Sequence, residues 1–364
     1  MNWLGKRVLI TGHTGFKGGW LALDLATKGA KVVGLALEPD TDPALFRAAQ
    51  LESVVDSRIG DIRDFDKVLS ILSETKPEIV FHLAAQPLVR RSYREPLDTF
   101  DTNVLGTAKL LEAIRRVGFV SAVVVVTTDK CYENKEWHWG YRENDRLGGH
   151  DPYSASKACA EIVVSAYRSS FFSEKESGAG GCTAVASARA GNVIGGGDWA
   201  EDRLIPDMVR AFQQARPVTI RNPGSVRPWQ HVLEPVEAYI ELAARLSEEP
   251  RKFASAWNFG PELSDAIPVA KVVESFASYW GDGATWEVDS APQVHETTSL
   301  RLDCSKAALE LGWQPTLNIE DALRLTAQWY QEFRLGSDMR KFTSNQILEY
   351  VRIRESKQKV VATS

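Results

Sequence analysis

Tyr153 and Lys157 stand four positions apart in the segment Tyr153-Ser154-Ala155-Ser156-Lys157. On a helix that spacing puts both side chains on one face. An ammonium beside a phenol favours the charged phenolate and lowers the phenol's pKa. Such a phenol can take the proton of an alcohol near neutral pH, which removal of hydride from the same carbon requires. Tyr-x-x-x-Lys is common by chance, so a surface pair without chemistry is the competing reading of this segment alone. A second group of reactive types follows the most apolar run of the chain, Ser121 to Thr128, in Thr127-Thr128-Asp129-Lys130-Cys131. Carboxyl ends of parallel strands face the ligand crevice, so Thr128, Asp129 and Lys130 would enter the site together. Oxidation of an alcohol needs only the hydroxyl with Tyr and Lys. An added acid and amine suggest proton removal beside a carbonyl and protonation of a departing hydroxyl. The plain alternative is a polar turn.

The partner for a hydride is suggested near the start. Thr11-Gly12-His13-Thr14-Gly15-Phe16-Lys17-Gly18 has the G-x-x-G-x-x-G spacing. Gly12, Gly15 and Gly18 permit a tight turn and close backbone approach to a pyrophosphate at a helix N-terminus. A strand before this loop and a helix after it strengthen the reading, because glycines alone are a weak signal. Lys17 either sits by a phosphate or lies in solvent. The expected end of the second strand, Gly34-Leu35-Ala36-Leu37-Glu38, offers neither an Asp for the adenine ribose nor an Arg for a 2′-phosphate. The missing cation favours NAD over NADP. Asp61, after the third strand, caps the next helix or accepts a hydrogen bond from adenine.

These residues need a frame that brings strand ends together. Apolar runs at Lys6–Thr11, Lys31–Leu37, Val54–Gly60, Glu78–Ala84, Ser121–Thr128 and Thr183–Ala190 alternate with helical patterns at Phe16–Lys28, Phe65–Glu74, Leu97–Arg116 and Tyr153–Phe171. The alternation predicts an α/β fold, a Rossmann-type doubly wound parallel sheet with a smaller C-terminal α/β substrate-binding lobe. Residues 1–190 form the expected cofactor domain, 191–335 mainly the substrate lobe, and 336–364 an extension with a loose end at Ser356–Ser364. Ser173–Gly181 reads as a surface loop. Leu105, Ala108 and Leu111 mark the apolar face of the Leu97–Arg116 helix, and His82 is expected to pack inside its strand.

Composition sets bounds. The 364 residues are 44% hydrophobic and carry a formal net charge of -5. No global basic field would gather nucleic acid or an anionic membrane. The four cysteines, Cys131, Cys159, Cys182 and Cys304, form no metal spacing and fit a reducing compartment. MNWLGKRVLITG carries no basic-then-apolar leader, and the expectation is a cytoplasmic protein.

Taken together, TGHTGFKG, GDIRD, HLAAQ, Asn103, TTDK, YSASK, Arg189-Ala190-Gly191-Asn192 and Arg227-Pro228-Trp229 resemble the extended short-chain dehydrogenase/reductase family. GHTGFKG, HLAAQPLVR, TTDKCYEN, WHWGYREND, AGNVIGGGDWAEDRLIPD and RNPGSVRPWQHVLEP resemble its cytidine-linked sugar-nucleotide 4,6-dehydratases. Asp129-Lys130 departs from the Asp–Glu pair of thymidine-linked members and matches the cytidine-linked pattern. The resemblance implies an NAD site of Gly12, Gly15, Phe16, Lys17, Gly18, Asp61, Ile62, Leu83, Ala84, Ala85, Asn103, Thr127, Tyr153 and Lys157. It implies CDP-glucose as substrate, met by Gln86, Asn192, Arg203, Arg227, Asn258 and His295. Tyr153, with Thr128 and Lys157, would take the proton of the 4-hydroxyl, and Asp129 would protonate the departing C6 hydroxyl. Lys130 would take the C5 proton if burial lowered its pKa, or else orient Asp129. A homodimer through the helices of Asn103 and Tyr153, or a tetramer, and a place in dideoxysugar supply for O-antigen lipopolysaccharide are also implied. Trp199 and Trp229 either stack on a base or belong to the core. The rivals are an NAD-dependent sugar-nucleotide 4-epimerase, which does not need Asp129, a reductase that releases NADPH, and a non-catalytic NAD(P)-binding sensor.

Overall fold

The computed structural model describes residues 1–172, 183–281, 283–289 and 300–363. Six strands form in the expected order: β1 (Arg7–Thr11), β2 (Lys31–Ala36), β3 (Asp56–Ile59), β4 (Ile79–His82), β5 (Ala122–Val126) and β6 (Ala184–Arg189). The lobe adds the short strands β7 (Val193–Ile194), β8 (Val218–Ile220), β9 (Val226–Pro228), β10 (Gln230–His231), β11 (Ala256–Asn258), β12 (Ala266–Pro268) and β13 (Trp286–Val288). The helices are α1 (Phe16–Thr27), α2 (Leu45–Ala48), α3 (Phe65–Thr75), α4 (Val89–Arg94), α5 (Pro96–Phe100), α6 (Gly106–Val117) and α7 (Pro152–Ser170). After them come α8 (Leu204–Gln213), α9 (Leu233–Glu248), α10 (Pro250–Phe253), α11 (Val269–Trp280), α12 (Ile319–Arg334) and α13 (Met339–Thr363).

Seven strands make one parallel sheet in the order β11-β6-β5-β4-β1-β2-β3. The order reverses beside β1, and a crevice opens there at the carboxyl ends. Helices cover both faces, so β5 is buried at all five positions. Its Val124 and Val126 join the core around Trp20 and Trp257, while Val123 and Val125 join that around Leu110 and Val164. A strand buried on both faces reads as an unbroken apolar run rather than an alternating one.

The expected cut at residue 190 is not clean. β11 pairs with β6, and α9 packs on β5 and β6, so part of 191–335 completes the main sheet. The 336–364 extension is no loose tail either. α13 runs to Thr363 and packs on α12 and α1, with Met339, Ile347 and Tyr350 in the core. Tyr350 Oη bonds Glu234 at 2.9 Å, and Arg354 pairs with Glu237 at 3.4 Å. The expected single helix from Leu97 to Arg116 is α5 and α6 joined by a π turn at Asp101–Leu105. The extra residue turns Leu105 outward, where it is 52% exposed. The 173–181 loop falls outside the described residues.

Candidate active site

The glycine loop is built as its spacing predicts. Gly12 has φ +80°, and a Cβ there would come within 2.7 Å of the Ala84 nitrogen. A Cβ on Gly18 would lie 2.0 Å from the Gly12 carbonyl. Side chains are excluded, so the start of α1 stands bare against Leu83 and Ala84 at the end of β4. His13, between the glycines, escaped the sequence reading. Its ring is buried beside Gly34 on β2, bonds Ser57 at 2.7 Å, and is pushed down to about 4 by burial. It closes the space where an acidic residue was sought. Glu38 is exposed.

Beside this loop, Asp61 is gripped by Arg63, which holds its carboxyl below the usual range. The cap of α3 is Asp64, not Asp61. Ile62 is buried against Gly106, and Ala85 follows β4 in an irregular turn. Asn103 is buried in the π turn. It exchanges hydrogen bonds with the Gln86 backbone at 2.8 and 3.1 Å and donates to Ser156 at 2.8 Å. A π turn of this kind often marks a functional position. Here it lets a polar side chain leave the helix inward and tie α7 to the turn after β4.

Tyr153 opens α7, and Ser92 accepts its backbone N–H at 3.1 Å. The predicted lowering of its pKa by Lys157 is not the outcome. Burial raises the phenol to about 12, against hydrogen bonding with Thr128 and the charge of Arg203. The net effect disfavours the phenolate by about 3 kcal/mol. Lys157 donates to the Val126 carbonyl at 3.3 Å. It is lowered to about 8 by burial and then by the charge of Lys17.

Asp129 is 1% exposed. Thr128 Oγ1 donates to its Oδ1 at 3.0 Å, and Oδ2 is buried with no partner among the described residues. A Cβ on Gly191 would lie 2.0 Å from that oxygen, so only glycine fits beside it. The residues Asp129–Cys131 form one 3-10 turn that buries Asp129 and Cys131 and leaves Lys130 exposed. The burial on which a basic Lys130 depended is therefore missing. The second amine of the centre is the half-buried Lys17, lowered to about 8 by desolvation and by the charge of Arg203, with Asp129 and Asp198 opposing. It lies inside the charged centre rather than in solvent.

Beneath this centre is a polar network the sequence reading also missed. Glu161 on α7 accepts from Thr127, from Ser187 at 2.7 Å and from Arg189 at 2.8 Å, with both charged side chains 3% exposed. Burial pushes the Glu161 carboxyl up, but Arg189 and these donors outweigh it and leave it below the usual range. The network ties the ends of β5 and β6 to the helix of Tyr153 and Lys157. The signal was present: Glu161 lies one turn beyond Lys157, and Arg189 ends an otherwise uncharged strand.

The substrate candidates separate. Arg203 is 33% exposed, pairs with Asp198 at 2.8 Å, and its charge is felt by Tyr153 and Lys17. Asn192 sits at φ +48° next to Gly191, with its buried amide nitrogen unpartnered among the described residues. Arg227 on β9 donates to the Val226 carbonyl at 3.1 Å. Gln86 and Asn258 are committed internally instead. Gln86 bonds Leu88 and Thr99, and Asn258 bonds Tyr132, Tyr141 and Asp303. Trp199 and Trp229 are core residues. His295 and Cys182 lie outside the described residues. His82, lowered to about 3 by burial, bonds Thr11 and Thr107 inside the sheet. Among the described residues no cluster could hold a metal ion, and no helix is long and apolar enough to cross a membrane.

Residues 9–326 match the family model described as GDP-mannose 4,6 dehydratase. The chain is 52% identical to the CDP-glucose 4,6-dehydratase of Salmonella typhimurium, over 96% of this chain and 97% of that one. Among solved structures it is similar to TunA, an NAD-dependent NDP-hexosamine 5,6-dehydratase of tunicamycin biosynthesis. That match has 26% identity and a TM-score of 0.72 over 90% of this chain and 98% of that one. The UDP-glucose 4-epimerase of Stenotrophomonas maltophila, with bound NAD, gives a TM-score of 0.78 over 91% and 100%. Its 21% identity speaks for the fold alone. The match covers the glycine loop, Asp129 and the Tyr153–Lys157 helix, and the chain belongs to the GDP-mannose 4,6 dehydratase family.

Proposed function

We propose that this protein is an NAD-dependent dehydratase that converts CDP-glucose to CDP-4-keto-6-deoxyglucose. The observation that carries the reading is Asp129, a buried carboxyl with one oxygen unpartnered among the described residues, beside Thr128 and close to Tyr153. An epimerase needs no such acid. The fit to NAD rests on the side-chain-free turn of Gly12, Gly15 and Gly18 under Phe16, with Leu83, Ala84 and Ala85 across from it. Asp61, Ile62 and Asn103 frame the far side, and Thr127, Tyr153 and Lys157 the near side. Bound there, NAD+ would supply the hydride acceptor that oxidation at C4 requires and the hydride donor that reduction at C6 requires.

Tyr153 takes the 4-hydroxyl proton while Thr128 holds the same oxygen. Burial resists the phenolate, and the hydrogen bond with Thr128 and the charge of Arg203 oppose that resistance. The 4-keto group acidifies the C5 proton, which a base of the site takes as Asp129 protonates the departing 6-hydroxyl to water, and C5 regains a proton when C6 is reduced. The sugar loses one water and the cofactor ends as it began. Arg203, Arg227 and Asn192 meet the diphosphate, for which an arginine fork is suited. Two copies pair through the exposed Leu97, Leu105 and Ile162 and the half-buried Phe100 and Val104 on α5, the π turn and α7. The reading places the enzyme in the cytoplasm.

The test offers purified protein NAD+ with CDP-glucose, dTDP-glucose or GDP-mannose in parallel and follows the 4-keto-6-deoxy product. Product from CDP-glucose above the others supports the proposal. Conversion of CDP-glucose to CDP-galactose overturns it in favour of an epimerase.

A further inference from the structure

Arg203 ends an irregular stretch, residues 195–203, that follows β7. What holds this stretch comes from far along the chain. Tyr330 on α12 is fully buried and donates its hydroxyl to the Asp198 carbonyl, with the Gly195 carbonyl 3.5 Å away. Trp199 sets its ring against Trp329, Tyr330 and Phe333, at 5.5, 5.7 and 5.0 Å between centroids. Trp329 lies so close to Gly196 that a Cβ there would come within 1.9 Å of its ring. From the other side Trp20 donates to the Gly196 carbonyl at 2.9 Å. The backbone so fixed presents Asp198, 5% exposed, whose carboxylate holds Arg203 at 2.8 Å. α13 locks α12 in turn. Thr343 accepts from Trp329 at 2.9 Å, and Gln346 donates to the Leu325 carbonyl at 2.8 Å.

The family match ends at residue 326. Trp329, Tyr330, Phe333 and all of α13 lie beyond it. We infer that this C-terminal segment is a buttress for substrate binding, and that Tyr330 is a positioning residue for Arg203. An arginine side chain is rich in rotamers, and fixing it before the ligand arrives removes that cost from binding. The chain of contacts runs from α13 through Trp329 and Tyr330 to Asp198 and ends at the guanidinium. The inference rests on the proposed reading that Arg203 meets the diphosphate.

The experiment is a titration of the full-length protein with CDP, which carries the diphosphate without the sugar. Tyr330→Phe removes one hydroxyl from a packed site, and CDP affinity should fall about fivefold, the value of one buried hydrogen bond. KM for CDP-glucose should rise by the same factor with kcat changed by less than about twofold, because the loss is in binding. NAD+ affinity should not change. In an Arg203→Gln background the Tyr330→Phe loss should vanish, since both act on one contact. Thr343→Val, reaching the same lock from α13, should give a smaller loss of the same pattern and serves if Tyr330→Phe does not fold. Wild-type CDP affinity in these variants, or a loss that persists without Arg203, overturns the inference. Should the wild type bind CDP but make no keto product, the proposed reaction falls while the titration still decides the buttress. A wild type that does not bind CDP overturns both.

Discussion

Asp129→Asn separates the two halves of the proposed chemistry. Asparagine has nearly the same shape, and its amide oxygen can keep the 3.0 Å bond from Thr128 Oγ1. The change therefore alters the other oxygen, the buried Oδ2, which has no partner among the described residues. A positioned general acid is worth about a hundredfold to ten-thousandfold in rate. Dehydration should fall by that factor, which is about 3 to 5 kcal/mol in the barrier. Oxidation at C4 depends on Tyr153, Thr128 and Lys157 and should survive. The assay mixes enzyme with CDP-glucose and NAD+ and follows two signals, the keto-deoxy product and the absorbance of reduced nicotinamide. The expected result is reduced cofactor accumulating on the enzyme while product formation is nearly lost. Product within about tenfold of wild type would leave Asp129 without the acid role, because that is below what a general acid supplies. Loss of both signals together would refute the separation.

Tyr153→Phe keeps the packing of the ring and removes the proton acceptor, so turnover should fall by about a hundredfold or more, with no reduced cofactor in single-turnover absorbance. Glu161→Gln leaves the Arg189 charge buried and unpaired at 3% exposure, and should cost about 3 to 5 kcal/mol in denaturant unfolding. His82 is lowered to about 3 in the folded protein, so below its unfolded pKa near 6.5 only the unfolded chain takes up that proton. Its share of the stability is whole above that value and is lost as pH falls. Going from pH 7 to pH 5 should cost about 2 kcal/mol that His82→Asn does not lose, read as the difference between their unfolding curves.

The sequence made the frame legible because its signals are local and repeated. β5 announces itself as Ala122–Val126 without a polar residue, and the Gly12–Gly18 loop is fixed by steric limits on two backbones. Tyr153 and Lys157 could be paired by helical spacing alone. What stayed hidden depends on distant parts of the chain. Lys130 and Lys17 are both lysines near a polar turn. Only the fold shows that Lys17, at the start of α1, is half-buried among the charges of Arg203, Asp129 and Asp198, while the 3-10 turn leaves Lys130 in solvent. Asn258 looked like a binding residue until Tyr132, Tyr141 and Asp303 were seen to take its hydrogen bonds, from segments up to 126 positions away. The π turn at Asn103 needs Gln86 and Ser156 as partners, which no helical period encodes. α13 read as a polar tail because its buried residues, Met339, Ile347 and Tyr350, are sparse among charges. Those charges make pairs of their own, as Arg354 does with Glu237.

In the proposed reaction the hydride taken from C4 returns to C6 of the same sugar. CDP-glucose deuterated at C4 tests it directly, with the product's label located by NMR. Deuterium should appear on the new C6 methyl group, one per molecule, with no net reduced nicotinamide at the end. Deuterium lost to solvent, kept at C4, or left on a released cofactor would contradict it.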